Sequence, residues 1–194
     1  MHIKSIVLFL AILTGCSLAR DRDDWQQPDR IMDSLDVRPG MVIGEIGAGH
    51  GYLTIRLAER VGPLGHIYAN DIDEDALEDI TEKANDHNLK NITIVYGKED
   101  HPMLPDSALD MVVMLIAFHD FSQPVAMLQN IKPSLKNEAP VVIIERDPEK
   151  WGSGRDHFWS IERITRLIKQ AKYKLIHIYT FLPRDNIFIC LPEK

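Results

Sequence analysis

Three glycines stand close together in the segment Glu45–Tyr52, which reads Glu-Ile-Gly-Ala-Gly-His-Gly-Tyr. The segment follows a hydrophobic run and precedes a helical pattern, a setting in which a glycine-rich loop indicates a ligand site. Glycine permits positive φ and has no Cβ, so a ligand can lie against the backbone there. The alternative is a tight strand–helix turn that binds no ligand.

A carboxylate ends the next predicted strand, where residues 69–73 read Ala-Asn-Asp-Ile-Asp. A carboxylate at the C-terminal edge of a strand can accept both hydrogen bonds from a ribose diol, and Asp71 has that position. Asp73 is predicted to cap the following helix instead, because two further acidic residues occupy the first turn of that helix.

The glycine spacing differs from the dinucleotide-binding fingerprint, which is G-x-G-x-x-G. Gly51 comes one position early, and Tyr52 stands where that fingerprint has Gly or Ala. The pattern E-x-G-x-G-x-G resembles instead the first motif of class I S-adenosylmethionine-dependent methyltransferases. The segments Trp25–Pro28 and Phe118–Asp120 resemble one bacterial subgroup of that family.

This resemblance implies S-adenosylmethionine as the cofactor and methyl transfer as the reaction. Glu45 and the glycine loop would face the amino-acid end of the cofactor, and Asp71 would hold its ribose. Glu99 lies in a segment similar to the family's third motif, where Lys98 replaces the usual Asp; it either covers the adenine edge or belongs to a solvated loop. The implied cofactor-binding residues are Glu45, Gly47, Ala48, Gly49, Gly51, Tyr52, Asp71, Ile72 and Glu99.

Candidate catalytic residues follow the fourth predicted strand, in Phe118–Asp120. Ligands of parallel sheets bind beyond the C-terminal ends of the strands, so this position suits an active site. His119 could act as a general base near neutral pH, and Asp120 is the second candidate. The alternative is that His119 only hydrogen-bonds a loop while Asp120 caps the next helix.

A second polar cluster follows the fifth predicted strand and comprises Glu145–Asp147 and Arg155–Trp159. The glycines between these segments make the loop flexible, as a lid over a pocket would be. The alternative is a surface loop in which Asp156 and His157 cap the last helix.

Strand and helix patterns alternate from Asp24 onward, which favours a parallel α/β sheet. Two strand-like runs end the sequence and should form an antiparallel hairpin. We therefore predict a single Rossmann-like three-layer sandwich with a mostly parallel seven-stranded sheet ending in an antiparallel hairpin. The predicted helices are Trp25–Leu35, Tyr52–Val61, Glu74–Asn88, Val125–Leu135 and Ile161–Ala171, and the predicted strands are Met41–Ile46, His66–Asn70, Asn91–Tyr96, Leu109–Ala117, Val141–Glu145, Tyr173–Phe181 and Asn186–Leu191.

The first residues are predicted to be a targeting signal. Lys4 precedes an apolar run from Ile6 to Leu13, and the following Gly15-Cys16 resembles the bacterial lipobox. The resemblance implies a signal peptide over residues 1–15 and a lipidated Cys16, followed by a tether over residues 16–24 and a methyltransferase domain over residues 25–194. The expected location is the membrane, facing the periplasm or the cell exterior; the alternative is a cytoplasmic protein with an incidental apolar N-terminus.

The composition indicates which kinds of partner the protein could bind. A formal net charge of -7 argues against nonspecific binding to nucleic-acid phosphates as the basis of function. Cys16 and Cys190 belong to no CxxC or His/Cys cluster, so the sequence gives no case for a metal ion. No Asn-Pro-Pro-Tyr segment occurs, and the expected partner is a small-molecule methyl acceptor.

Two functions are compatible with the sequence. The first is a working methyltransferase. The second is an exported lipoprotein that keeps the fold as a non-catalytic binding or accessory protein, because S-adenosylmethionine is made in the cytoplasm. A nicotinamide-dependent oxidoreductase is disfavoured by the glycine spacing and the terminal hairpin.

Overall fold

The computed structural model describes residues 22–151 and 157–193. The predicted signal peptide and Cys16 lie outside the described residues. The helices are α1 (Pro28–Ser34), α2 (Tyr52–Val61), α3 (Glu74–Asp86), α4 (Pro124–Ile131) and α5 (Ile161–Gln170), and the strands are β1 (Val42–Ile46), β2 (His66–Asp71), β3 (Ile92–Tyr96), β4 (Met111–Leu115), β5 (Val141–Arg146), β6 (Tyr173–Tyr179) and β7 (Asp185–Pro192).

The seven strands form one sheet in the order β3-β2-β1-β4-β5-β7-β6. Strands β1 to β5 pair in parallel, whereas β7 is antiparallel to both β5 and β6. The predicted mixed sheet with a terminal hairpin is thereby confirmed. The C-terminal ends of β1, β2, β4 and β5 lie along one edge, which brings the loops after them together.

Alternate residues of the central strands face opposite sides of the sheet, as the two-residue period of a strand requires. Val112 and Met114 of β4 belong to a core that includes Leu128 of α4 and Ile164 of α5. Val113 of β4 belongs to the core on the other face, with residues of α1 and α2. The sheet is therefore buried between two helical layers, which confirms the three-layer prediction.

Two predicted helices are interrupted beside a proline. The run predicted over Trp25–Leu35 breaks at Gln27, which has φ +50°, and α1 starts at Pro28. A proline disfavours the helical conformation in the residue before it, which accounts for the break. Likewise, α4 ends at Ile131, and the turn containing Pro133 continues as a short 3₁₀ helix.

Asp73 caps α3, as predicted, by accepting hydrogen bonds from the amides of Asp75 and Ala76. The predicted strand Leu109–Ala117 is shorter in the structure, where β4 covers Met111–Leu115. Within the part of the chain that the structure describes, no helix combines the length and apolarity needed to cross a membrane.

Candidate active site

The glycine loop connects β1 to α2 and contains glycines with different structural roles. Gly47 has φ +71°, and a Cβ at this position would clash with the Cβ of Ala117. Gly49 also has positive φ, but a Cβ there would meet nothing within 4 Å. Close packing therefore requires glycine at position 47, whereas Gly49 leaves its backbone open to a ligand.

Asp71 ends β2 and holds the glycine loop in place. Its Oδ2 accepts a hydrogen bond from the Gly49 amide at 2.7 Å, and its Oδ1 accepts from the amides of Ile72 and Asp73 at 2.7 and 3.1 Å. A carboxylate has about four lone-pair sites, so these three bonds leave about one, on Oδ2. Asp71 is thus rigid and retains one acceptor position for a ligand hydroxyl.

One lobe of the cleft lies beside Asp71, and we call it the Asp71 lobe. It has a volume of about 180 Å³. Ile72 is 52% exposed and offers an apolar surface. On the other side, Ser122 donates a hydrogen bond to Glu99 at 3.2 Å. The residues lining this lobe include Gly47, Asp71, Ile72, Glu99, Asp120 and Phe121.

A second lobe shares Gly47 with the first, and we call it the Arg22 lobe. It has a volume of about 420 Å³. Gly47 lines both lobes, so the two form neighbouring parts of one cleft along the ends of the strands. The residues lining the Arg22 lobe include Arg22, Glu45, Ala48, Gly49, Tyr52 and Arg146.

Glu45 brings a buried carboxyl group to the Arg22 lobe. Its side chain accepts a hydrogen bond from the Thr54 hydroxyl at 2.5 Å. Burial, reinforced by the negative charge of Asp71 and opposed by the Thr54 hydrogen bond, raises the pKa of Glu45 to about 8. A cationic group bound beside it would favour the ionised form.

Two arginines complement this carboxyl group. The Nε atoms of Arg22 and Arg146 are buried and have no hydrogen-bond partner among the described residues. Burial is also the main reason that the pKa of Arg22 is lowered. Two donors without partners in one lobe suit an anionic group such as a ligand carboxylate.

Residues 22–26 are helical and lie against α2, beside the Arg22 lobe. The Tyr52 hydroxyl donates to Asp23 at 2.6 Å, and Arg56 makes two hydrogen bonds of 2.9 Å to the same carboxylate. The guanidinium of Arg22 lies 3.6 Å from the centre of the Tyr52 ring. Arg22 and Asp23, both in the predicted tether, therefore contact α2, and Arg22 lines the cleft.

His119 follows β4, and Glu145 lies near the end of the neighbouring strand β5. Nδ1 of His119 lies 2.9 Å from a carboxylate oxygen of Glu145, and the two side chains are 4% and 2% exposed. Burial is the largest influence and lowers the pKa of His119, but the hydrogen bond and charge of Glu145 outweigh it, so the pKa is raised overall. The imidazole is thereby fixed with Nε2 as its free nitrogen.

Asp120 and His157 stand beside that nitrogen. Oδ1 of Asp120 lies 3.5 Å from Nε2 of His119 and 3.5 Å from Nε2 of His157. Asp120 does not cap the following helix, because the cap of α4 is Gln123 and has no side-chain hydrogen bond. The last helix, α5, is capped by Ser160 rather than by His157, whereas Asp156 and the loop glycines lie outside the described residues.

The structure thus brings together residues that the sequence presented as two separate clusters. The predicted catalytic pair His119 and Asp120 meets Glu145 and His157 of the later cluster because β4 and β5 are neighbours. The predicted cofactor residues line the two lobes, except Gly51. Gly51 is the N-cap residue of α2, has positive φ, and is too close to Ile80 for a Cβ to fit. Sequence reasoning missed Arg22 and gave no role to Arg146.

Comparison with known proteins identifies the class of this fold and site. The family described as "Methyltransferase domain" matches residues 38–176. The chain belongs to this family of methyltransferases. The match includes the glycine loop, Asp71, His119 and Glu145, and it supports an enzyme rather than a non-catalytic binding protein.

Individual relatives have different acceptors in their names. The chain is 31% identical over 83 residues to nocamycin O-methyltransferase of Saccharothrix syringae, covering 43% of this chain and 30% of that protein. It is 25% identical over 114 residues to demethylmenaquinone methyltransferase of a Geobacillus strain, covering 59% of this chain and 49% of that protein. The chain therefore spans half or less of the length of these relatives.

A solved structure matches over most of both chains. The SAM-dependent methyltransferase from Aquifex aeolicus superposes with a TM-score of 0.83 at 24% identity, covering 88% of this chain and 92% of that one. This similarity confirms the fold.

Proposed function

We propose that this methyltransferase transfers the methyl group of S-adenosylmethionine to a small-molecule acceptor that enters the cleft beside Asp120. The observation that carries the proposal is the pair of lobes meeting at Gly47, with acidic and basic groups placed for a zwitterionic nucleoside ligand. Bound S-adenosylmethionine supplies an electrophilic methyl group on a sulfonium.

The Asp71 lobe suits the adenosine part of the cofactor. The free acceptor position of Asp71 can take a hydrogen bond from a ribose hydroxyl. The exposed side chain of Ile72 offers an apolar surface to the adenine ring. Glu99, held by Ser122, can accept a hydrogen bond from the edge of that ring.

The Arg22 lobe suits the amino-acid part. The carboxylate of Glu45 would pair with the ammonium group, which would shift Glu45 toward its ionised form. The unpartnered Nε groups of Arg22 and Arg146 would donate to the carboxylate. Both charged groups of the amino acid would then lie beside protein groups of opposite charge in the Arg22 lobe.

The acceptor end is defined by His119 and Asp120. Because Glu145 holds Nδ1, the free Nε2 of His119 and the exposed carboxylate of Asp120 are the groups that can take a proton from an acceptor. Asp120 also lines the Asp71 lobe, so the proton acceptor and the cofactor site are adjacent. General base catalysis of this kind contributes roughly 10²–10⁴-fold to a rate.

A small acceptor is favoured by two relatives, which are named for nocamycin and for demethylmenaquinone, both small molecules. The test is incubation of the full-length chain with methyl-labelled S-adenosylmethionine and separated small-molecule, protein and nucleic-acid fractions. Label that appears only in small molecules other than S-adenosylmethionine supports the proposal; label that appears only in protein or nucleic acid contradicts it.

We also propose that the N-terminal segment directs lipid attachment at Cys16, which would place the domain on a membrane outside the cytoplasm. The support is the order of charge, apolar run, small residue and cysteine. Labelled palmitate should enter the wild-type chain in bacterial cells and not the Cys16→Ser variant. Equal labelling of both chains, or labelling of neither, would refute lipidation.

A further inference from the structure

Three side chains of ligand type converge at the acceptor end of the cleft. His119 and Asp120 follow β4, whereas His157 precedes α5, 37 residues after Asp120 in the sequence. One ligand atom from each residue lies within 4.8 Å of the other two. The two imidazole rings stand edge to face with their centres 4.9 Å apart.

The distances suit a shared ion better than hydrogen bonds. Both nitrogen atoms lie 3.5 Å from Oδ1 of Asp120. Ordinary N–H···O bonds are about 2.7–3.2 Å long. Bonds of roughly 2.0–2.2 Å around a tetrahedral ion separate the ligand atoms by about 3.3–3.6 Å. His157 is exposed, so a small rotation can adjust the distance between the two nitrogens.

Glu145 provides an independent indication. Its buried carboxylate lies 2.9 Å from Nδ1 of His119 and also accepts a hydrogen bond from the backbone amide of His119 at 3.2 Å. A histidine that binds a metal ion characteristically donates its other ring N–H to a carboxylate or carbonyl, which fixes its tautomer and orientation. The lone pair of Nε2 is therefore held toward Asp120 and His157.

We propose that His119, Asp120 and His157 bind one divalent transition-metal ion, and that the position left open faces the Asp71 lobe. Two imidazoles and one carboxylate are a ligand set for Zn²⁺ and disfavour Mg²⁺ and Ca²⁺, which prefer oxygen ligands. Asp120 lines the Asp71 lobe, so a ligand on the open position would lie beside the cofactor site.

Such an ion would activate the acceptor by promoting loss of its proton. A hydroxyl or thiol bound to it loses its proton more readily: the O–H or S–H bond breaks, the proton passes to water, and the electron pair stays on the heteroatom. Nε2 of His119 is then a metal ligand instead of the proton acceptor. This role rests on the proposed function, whereas binding of the ion does not.

The experiment is calorimetric titration of Zn²⁺ into the metal-free full-length chain, made without a histidine tag. We expect one ion per chain, with affinity at least about 100-fold weaker in His157→Ala and about 10–100-fold weaker in Glu145→Gln. The control His177→Ala removes an exposed imidazole from β6 and should bind like the wild type. His157 is exposed, so its variant should fold even where the buried His119→Ala does not.

Absence of Zn²⁺ binding by the folded wild type, or equal binding by His157→Ala, would overturn the inference. A titration of S-adenosylmethionine on the same samples separates the two proposals. Cofactor binding without Zn²⁺ binding would refute only the metal site. Zn²⁺ binding without cofactor binding would refute only the cofactor site.

Discussion

The carboxylate of Glu145 lies 2.9 Å from Nδ1 of His119, and both side chains are almost completely buried at the ends of neighbouring parallel strands. Removing one member of a buried charged pair leaves the other without compensation in a site of low dielectric constant. The pair therefore matters for stability as well as for the orientation of the imidazole.

The His119→Ala variant should lose about 3 kcal/mol of unfolding free energy, because Glu145 then stays buried without its imidazole partner. Glu145→Gln keeps an oxygen that can accept the Nδ1 hydrogen bond, and it should lose less than about half as much. Urea unfolding monitored by circular dichroism measures both values. Equal losses in the two variants would show that the pair is not the source of the effect.

Glu45 should make stability depend on pH. Burial raises its pKa to about 8, so in the folded state it keeps a proton that the unfolded chain releases at its ordinary pKa. The contribution of Glu45 is therefore fully present below pH of about 4.5, is lost as pH rises toward about 8, and then stays constant; the total loss is at most about 5 kcal/mol.

The matched variant for this prediction is Glu45→Gln, which has no charge to bury. Unfolding free energies of both chains should be compared across roughly pH 5 to pH 9, so that other titrating groups cancel in the difference. The variant should gain stability relative to the wild type as pH rises. A difference that does not change with pH would contradict the raised pKa of Glu45.

Two glycines of the loop should respond differently to alanine. Gly47→Ala combines a positive φ with a clash against Ala117, and it should destabilise the fold by about 3 kcal/mol. Gly49→Ala has positive φ but open space, so it should lose about 1 kcal/mol. Its methyl group would enter the cleft and weaken S-adenosylmethionine binding at least about tenfold. Thermal unfolding and calorimetry measure these effects, and the reverse order of stabilities would contradict the assigned roles.

The contact between Tyr52 and Asp23 should help to close the Arg22 lobe. Tyr52→Phe removes a 2.6 Å hydrogen bond to a carboxylate and should weaken cofactor binding about fivefold, because residues 22–26 are then held less firmly. Tyr179→Phe, on β6 and away from the cleft, is the control. Affinities that are equal in the two variants would show that this contact does not act on the cofactor.

The sequence was sufficient to predict the order of elements, since each strand is a hydrophobic run of suitable length and each turn carries its own signals. The positions of the glycine loop between β1 and α2 and of Asp71 at the end of β2 also agree with the prediction. The break at Gln27 was not predicted, because the periodic pattern of apolar residues favoured one continuous helix. Its cause is local: Pro28 disfavours the helical conformation in the residue before it.

The contacts of the candidate site depend on tertiary structure and could not be read from spacing. Glu145 and His157 reach His119 and Asp120 only because β5 lies beside β4 and the loop before α5 folds back. Arg22 belongs to a run of alternating charges that is typical of a solvated tether. Its place over the Tyr52 ring depends on the docking of residues 22–26 against α2.

The most direct test of the cofactor site is calorimetric titration of S-adenosylmethionine into the full-length chain, with Asp71→Ala and Asp73→Ala as a matched pair of neighbouring carboxylates. Asp73 only caps α3, so its variant should lose about 1 kcal/mol of stability and keep its affinity. Asp71→Ala should bind at least about tenfold more weakly, a loss of about 1.4 kcal/mol. Micromolar binding by the wild type that only Asp71→Ala weakens is the predicted result; no binding by the folded wild type, or equal affinity in all three chains, would contradict the cofactor site.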